Sequence, residues 1–381
     1  MRFLHLSDLH IGKCVHGFSM LDEQKHVFEQ IIRYIKSEKV DVIVIAGDIY
    51  DHAIPRSEAM RVFDDFLTDL AHTHVVVLLI AGNHDSPERI SYANRLLSDR
   101  QLFLCGSFNG RLQKVTLTDA YGEVNFWLLP FIKPLSVYGF FENPIETYTD
   151  ALEAVIKTAD IDYSARNVFV AHQFFTKSGI VPIRCDSELN PVGGLDAINT
   201  DLIEKFDYVA LGHLHGAQKV GAKHICYPGS PLKYSLSEIK QTKSLLLVEL
   251  NEKNSLTTTP LPLTPIYDMC EIKGNLSELL SNAYFSHINK EAYLHIILTD
   301  EEEILDPMEK LRRVYPHILT LRFENSRTKT DFQELYQNVQ QPNSLSPYEL
   351  FSEFFLAMCG CAMSQEQAKI VKEQLTTEVT Q

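Results

Sequence analysis

No run of about 18 apolar residues occurs anywhere in the chain, so it offers no helix that could span a bilayer. Seven cysteines (Cys14, Cys105, Cys185, Cys226, Cys270, Cys359, Cys361) contain no C-x-x-C pair and form no even framework, which predicts reduced thiols rather than disulfides or a zinc knuckle. The one close pair, "CGC" at 359–361, reads as small residues at a helix junction. No Lys/Arg-rich block interrupts a chain of net charge −15, which argues against a general polyanion binder. Total charge does not report the sign inside a cleft, however, and bound metal ions carry their own charge. The opening "MRFLHLSDLH" lacks the basic, apolar and small-residue order of an export leader. Together with the reduced thiols, this predicts a soluble protein of the cytoplasm. Internal repeats and low-complexity tracts are also missing.

What is present is an ordinary globular composition, 45% hydrophobic and 22% charged over 381 residues, long enough for two or three domains. Apolar runs "RFLHLSD", "VDVIVIAGD" and "VVVLLIAGNHD" alternate with helical spacings (Phe28, Ile31, Ile32, Ile35, then Val62, Phe63, Phe66, Leu67, Leu70). That βαβαβ rhythm predicts an α/β fold with a largely parallel sheet covered on both faces. From 102 to 131 the texture is hairpin-like around "AYGE", and further strands are expected in "NVFVAHQFF", "FDYVALGHLH", "KHICYPGSP" and "SLLLVEL". "NEKNSLTTTPLPLTP" (251–265) reads as a linker. We expect a first domain over 1–255, a smaller α+β unit over 266–330 containing "AYLHIIL" and "ILTLRF", and a helical tail over 340–378. After the polar stretch "NVQQPNSLSP", Ser346 and Glu349 form a capping box with Pro347 at the first helical position. Leu350, Phe351, Phe354, Phe355 and Met358 share a face of that helix, and Ser364 with Gln367 caps another.

Five strand ends carry the polar residues: Asp8 and His10 in "SDLHIG", Asp48 in "GDIYD", Asn83 and His84 in "GNHD", His172 in "VAHQ", and His213 and His215 in "GHLH". Ligands of open α/β sheets bind outside the carboxyl ends of the strands, so these clusters are expected to converge. The i, i+2 pairs Asp8/His10 and His213/His215 would leave an extended chain on one side, each pair gripping one ion. Oxygen and imidazole donors without thiolate suit Mn²⁺, Fe²⁺ or Zn²⁺ in an open site. Seven donors (Asp8, His10, Asp48, Asn83, His172, His213, His215) exceed the needs of one ion, which predicts two ions about 3.5–4 Å apart bridged by Asp48. With only Asp8 and Asp48 charged, such a site stays cationic and favours a phosphate ester, attacked by a water acidified to about pKa 7. His84 lies beside the donors and serves either to protonate the leaving oxygen or to hydrogen-bond the phosphoryl group. Asp85 either holds the loop or orients an imidazole, and Pro87 stiffens the exit. Each cluster alone is weak evidence, because a histidine or "GD" at a strand end is commonly structural. All five in this order, each after an apolar strand, are improbable by accident.

These motifs resemble the calcineurin-like metallophosphoesterase superfamily, which implies a double-sheet sandwich with a two-metal site. "MRFLHLSDLHIGK", "GDIYDHAIP", "NPVGGLDAIN", "FDYVALGHLH", "YPGSPLKYSLSE" and "SPYELFSEFF" are similar, nearly end to end, to its SbcD family of bacterial nuclease subunits. The resemblance implies Asp8, His10, Asp48 and His215 around one Mn²⁺, Asp48, Asn83, His172 and His213 around the other, and His84 as the catalytic histidine. It further implies 3′-to-5′ exonuclease and endonuclease action on DNA ends and hairpins in DNA repair, recombination and replication. The α+β unit would cap the site and help hold DNA, and the tail would dock on an SbcC-type ATPase. A homodimer through helices around 56–70 and 88–98, within a heterotetramer, is implied as well. Some relatives have a histidine three residues after the bridging aspartate, where this chain has Asp51 followed by His52. Lys13, His16 and Arg56 either touch DNA phosphates or are solvated surface residues. The motifs alone equally admit a phosphatase or phosphodiesterase of small substrates, or a metal-bound scaffold.

Overall fold

Alternating apolar runs and amphipathic segments become strands and helices in the computed structural model, which describes residues 1–177, 182–188, 197–281, 284, 288–326, 328, 347–359 and 362–377. β1 (Arg2–Leu6), α1 (Leu21–Ser37), β2 (Val42–Ala46), α2 (Ser57–Thr73), β3 (Val76–Ile80) and β4 (Leu102–Cys105) come first. The hairpin β5 (Gln113–Asp119) and β6 (Gly122–Leu129) follows, then α3 (Tyr148–Lys157), β7 (Arg166–His172) and β8 (Tyr208–Gly212). Short β9 (Gln218–Lys219), β10 (Ile225–Tyr227), β11 (Ser244–Leu250) and β12 (Leu256–Pro262) complete this part.

These strands form two six-stranded sheets, ordered β12-β11-β1-β2-β3-β4 and β9-β10-β8-β7-β6-β5. Neighbours from β1 to β4 are parallel, and so are β6, β7, β8 and β10. Period-two alternation assigns the layers. Phe126, Val168, Val170, Tyr208 and Ala210 face Phe3, Val44 and Leu78 of the other sheet in one buried cluster. Their sequence neighbours Trp127, Phe169, Val209 and Leu211 pack in a second cluster with Leu152 and Val155 of α3. On the first sheet's other side α1 and α2 meet through the stacked rings of Phe28 and Phe66, 4.2 Å apart. The order is therefore helix, sheet, sheet, helix. The first sheet is thus covered on both faces, as the rhythm predicts, by helices on one and by the second sheet on the other, and the double-sheet sandwich implied by the resemblance is present. A strand apolar on both sides reads the same whether a helix or a second sheet covers it.

The expectation of a linker over 251–265 is corrected. Leu256–Pro262 is strand β12, antiparallel to β11 from Ser244↔Pro262 to Leu250↔Leu256. Pro260 and Pro262 are tolerated because β12 is an edge strand, where a missing N–H faces no partner.

The chain divides into two compact units, Met1–Asp268 and Met269–Gln381. The second contains a parallel sheet of β13 (Met269–Gly274), β14 (Tyr293–Leu298) and β15 (Ile318–Phe323). Ile272, Leu294, Ile296, Leu311, Tyr315 and Ile318 form its core. β14 and β15 are the two strands anticipated there, whereas β13 is hidden in the sequence by Glu271 and Lys273, which are exposed. Helices α4 (Pro347–Cys359) and α5 (Gln365–Thr377) lie in the tail. Ser364 accepts the Gln367 N–H at 3.2 Å while Gln367 Oε1 accepts the Ser364 N–H at 2.9 Å, a complete capping box. Ser346, the side chain of Met358, Gly360 and Cys361 of "CGC", most of "NPVGGLDAIN" and the stretch 338–346 lie outside the described residues. No helix among the described residues is long and apolar enough to cross a membrane.

Candidate metal centre

Neighbouring strands deliver the polar residues to one edge. Asp8 and His10 follow β1, Asp48 follows β2 and Asn83 follows β3, while His172 ends β7 and His213 follows β8. The last two strands belong to the second sheet, so the site lies where the carboxyl ends of both sheets meet. Asp8 (φ 55°), His10 (φ 44°), Asp48 (φ 51°) and His213 (φ 111°) all have positive φ, a region that costs a non-glycine residue roughly 1–3 kcal/mol. The side chains therefore converge through left-handed turns and not by leaving an extended chain on one side. Asp8 N–H donates to Gly47 O at 3.0 Å and His10 N–H to Asp48 O at 3.0 Å, knitting the first two turns together. Both Asp8 carboxylate oxygens accept the His213 N–H at 3.1 Å, joining the sheets.

Close packing demands the glycines of the motifs. A Cβ on Gly47 (φ 92°) would lie 2.4 Å from His172 Nδ1, one on Gly82 2.1 Å from Asp48 Oδ1, and one on Gly212 1.9 Å from Ala46 O.

Among the described residues, three groups of ligand atoms lie within 4.8 Å of one another: Asp8, His10 and His215; His10, Asp48 and His84; Asp8, Asp48 and His172. Asp48 Oδ2 stands 3.4 Å from His172 Nε2, 3.6 Å from His10 Nε2 and 4.0 Å from His84 Nε2. Asn83 Oδ1 lies 3.0 Å from both His172 Nε2 and His213 Nδ1. His215 instead meets His10, Nε2 to Nε2, at 3.1 Å. The "GHLH" pair thus straddles the cluster, which corrects the expectation that its two imidazoles grip a single ion.

Outer hydrogen bonds orient these rings. A carbonyl oxygen can only accept, so His172 Nδ1–H donates to Ala46 O at 2.7 Å and His84 Nδ1–H to Asp51 O at 2.8 Å. Their Nε2 atoms are left facing the cluster. His10 Nδ1 faces the Asp51 carboxylate at 3.4 Å, and His215 Nδ1 lies 2.7 Å from Ser187 Oγ. With protons on those outer nitrogens, two bare Nε2 atoms confront one another beside the buried carboxylates of Asp8 and Asp48. His213, whose Nδ1 meets Asn83, has its Nε2 buried without a hydrogen-bond partner among the described residues. Two bare nitrogens crowded beside buried carboxylates are what a divalent cation relieves, and this set of oxygen and imidazole groups fits one.

Burial pushes the His10 imidazole down to about 4 and that of His213 down to about 3, keeping both neutral, as ligation requires. Burial also opposes protonation of His172, but the charge of Asp48 outweighs it and lifts this imidazole to about 9. Asp48 is correspondingly held well below the usual carboxylate range, burial being outweighed by His172, His10 and His84.

Supporting residues surround the cluster. Asp85 accepts the N–H groups of Ile49 (3.0 Å), Tyr50 (3.0 Å) and Gly82 (2.8 Å), so of its two expected roles it holds the loop. Burial and then the charge of Asp48 raise its carboxyl to about 6. Asp51 is buried and accepts from Lys13 Nζ at 2.8 Å, whereas His52, His16 and Arg56 are exposed. Burial works against the Asp51 charge, yet His10 and Lys13 hold it well below the ordinary range. Gln24 donates to His10 O at 2.8 Å and to Tyr234 Oη at 3.0 Å. Ser187, Glu238 and Lys243 were not anticipated as site residues. Glu238 ends the stretch "YPGSPLKYSLSE", but nothing in its spacing marks it.

Residues 1–217 match the family model described as Calcineurin-like phosphoesterase, and residues 265–358 match the one described as Type 5 capsule protein repressor C-terminal domain. The chain is 30% identical over 380 residues to the SbcD subunit of the nuclease SbcCD from Staphylococcus epidermidis, covering 99% of this chain and 98% of that protein. Its counterpart of the same name from Staphylococcus saprophyticus is 30% identical over 381 residues, with the same coverage. Among solved structures, a dimetal phosphatase from Danio rerio aligns with a TM-score of 0.43 at 11% identity, over 70% of this chain and 99% of its own. Matched along both units, the chain belongs to the SbcD nuclease-subunit family of calcineurin-like phosphoesterases.

Proposed function

We propose that the chain is a metal-dependent DNA nuclease subunit, hydrolysing phosphodiester bonds at DNA ends and hairpins as a 3′-to-5′ double-strand exonuclease and single-strand endonuclease. Its setting would be recombination, repair and replication in the cytoplasm. The observation that carries this reading is the buried cluster itself, in which imidazole nitrogens, an amide oxygen and two carboxylates crowd together within hydrogen-bonding distance or little beyond it. Asp8, His10, Asp48 and His215 would hold one Mn²⁺, and Asp48, Asn83, His172 and His213 a second. Bound there, the ions supply an acidified water and neutralise charge on the scissile phosphate.

The chain's own residues supply the rest. Asp48, with Oδ2 at 3.4 Å from His172 Nε2 and 3.6 Å from His10 Nε2, would be shared between the two groups of ligands. His84 is anchored through Nδ1 to Asp51 O, so a proton delivered by this ring would leave from Nε2, the atom turned toward Asp48. From there it passes to the leaving oxygen, or hydrogen-bonds the phosphoryl oxygens. Lys13, tied to Asp51, adds positive charge close by.

An SbcC-type ATPase is the proposed partner, engaged through the C-terminal helices, where Leu350, Phe351, Phe354 and Leu356 are exposed. A homodimer within a heterotetramer is proposed through the segments around 56–70 and 88–98, where Met60, Tyr92 and Leu96 are exposed. The second unit would cap the site and help hold DNA.

The test is cleavage of a labelled DNA hairpin in Mn²⁺ by wild type, His84→Ala and a chelated control, with and without the ATPase and ATP. Cutting by the wild type alone, enhanced by the partner, supports the proposal. Hydrolysis of a small diester by a protein that never cuts DNA refutes the substrate.

A further inference from the structure

Imidazoles at a metal site work in the orientation and tautomer that their outer hydrogen bonds impose. For His172 and His84 a main-chain carbonyl imposes it, but for His215 the partner is a hydroxyl, which can donate or accept. Which it does is decided one residue further out. Ser187 Oγ lies 2.6 Å from Glu238 Oε1, and Glu238 Oε2 accepts from Lys243 Nζ at 2.6 Å. Glu238 and Lys243 are buried, and Lys243 Nζ also donates to His215 O at 2.9 Å. Ser235 Oγ adds a hydrogen bond to Glu238 Oε1 at 2.8 Å.

We propose that Ser187 is a positioning residue that fixes His215 with its proton on Nδ1 and its bare Nε2 toward the metal cluster, its own hydroxyl being aimed by the buried Glu238–Lys243 pair. A serine hydroxyl has one proton. An ionised carboxylate can only accept, so that proton goes to Glu238 and the oxygen turns a lone pair to His215 Nδ1. The imidazole must then carry hydrogen on Nδ1. Its Nε2 is left bare, 3.1 Å from His10 Nε2.

The segment bearing Ser187 is tied at several points, so the hydroxyl is not a chance contact of a loose loop. His215 N–H donates to Glu188 Oε1 at 2.9 Å, Asp186 N–H to Ser237 Oγ at 3.0 Å and Gln241 Nε2 to Cys185 Sγ at 3.2 Å. Side chain and main chain of His215 are thus clasped by consecutive residues, Ser187 and Glu188.

This inference rests on the metal reading above, and its test needs no DNA. Full-length protein labelled with ¹⁵N-histidine is examined metal-free, with the His215 signals assigned by their loss in His215→Asn, and Mn²⁺ binding is titrated separately. Wild type should show His215 in the Nδ1–H form. Ser187→Ala should lose that preference and weaken Mn²⁺ binding at one of two sites by roughly 10- to 100-fold, with the melting temperature of the metal-free protein little changed. Ser187→Thr should restore both and Ser187→Val, of the same shape, neither, a comparison that remains informative if the alanine variant folds poorly. An unchanged tautomer and unchanged affinity in Ser187→Val would overturn the proposal. A wild type that binds Mn²⁺ but cuts no DNA would overturn the proposed function and leave the role of Ser187 standing.

Discussion

Gly82 approaches Asp48 so closely that a Cβ on it would stand 2.1 Å from the carboxylate Oδ1 and 2.3 Å from the Asp48 N. Gly82 has no positive φ, so alanine there is excluded by contact alone. Gly82→Ala must push Asp48 away from His10 and His172. We expect a loss of about 1–3 kcal/mol in folding stability, typical of overpacking, and a larger loss of metal affinity. Urea unfolding of the metal-free protein and Mn²⁺ titration measure the two separately. Normal binding of two ions by Gly82→Ala would refute the tight coupling.

His84 should separate chemistry from metal binding. Its Nδ1–H is committed to Asp51 O, and its Nε2 stands 4.0 Å from Asp48 Oδ2, farther than those of His10 and His172. His84→Ala is expected to lower kcat for DNA cleavage by roughly 10²- to 10⁴-fold, the usual share of general acid catalysis. The number of Mn²⁺ bound should stay that of the wild type. Loss of a metal site would make His84 a ligand instead.

Strand ends were legible because an apolar run cut short by Asp, Asn or His is visible in one sequence, and the eight side chains so marked lie in one cluster. Their backbone was not. Only glycine announces a left-handed residue, so the positive φ of Asp8, His10, Asp48 and His213 left no trace and an extended chain was assumed. The second layer was hidden because Val168 and Phe169 are equally apolar, although one faces a sheet and the other lies in the cluster with α3. Strand β12 was hidden by Pro260 and Pro262, which exclude a central strand but not an edge one. Ser187, Glu238 and Lys243 reach His215 from distant points in the chain with no shared period. Such contacts are a property of the fold, and no local pattern encodes them.

His5 ties acid stability to the core between the sheets. It is fully buried, bonded to Tyr208 Oη at 2.9 Å and Leu211 O at 3.1 Å, and burial pushes its imidazole down to about 3. The unfolded chain takes up a proton near pH 6.5 that the folded one refuses until about pH 3, so stability falls as pH falls through that window. Between pH 7.5 and 5 this single group should cost about 2 kcal/mol. His10 and His213 act in the same direction, so the difference between proteins carries the test. Urea midpoints at pH 7.5 and 5.0 should lie closer together for His5→Gln than for wild type. Equal losses would show that His5 does not set the slope.

Asp85 joins the turns that carry Asp48 and Asn83, because one carboxylate collects the N–H groups of Ile49, Tyr50 and Gly82. An asparagine keeps one acceptor oxygen and turns an NH₂ toward donors, so at least one buried N–H loses its partner at a cost of about 1–3 kcal/mol. The effect should be local before it is global. In Asp85→Asn, hydrogen exchange is expected to accelerate at the amides of Ile49, Tyr50 and Gly82, while amides in α3 and β7 exchange as in wild type. Mn²⁺ affinity should fall with it, since the turn that places Asp48 is no longer held. Unchanged exchange at those three amides would mean that the carboxylate does not hold the loop, and its place beside Asp48 would then need another reason.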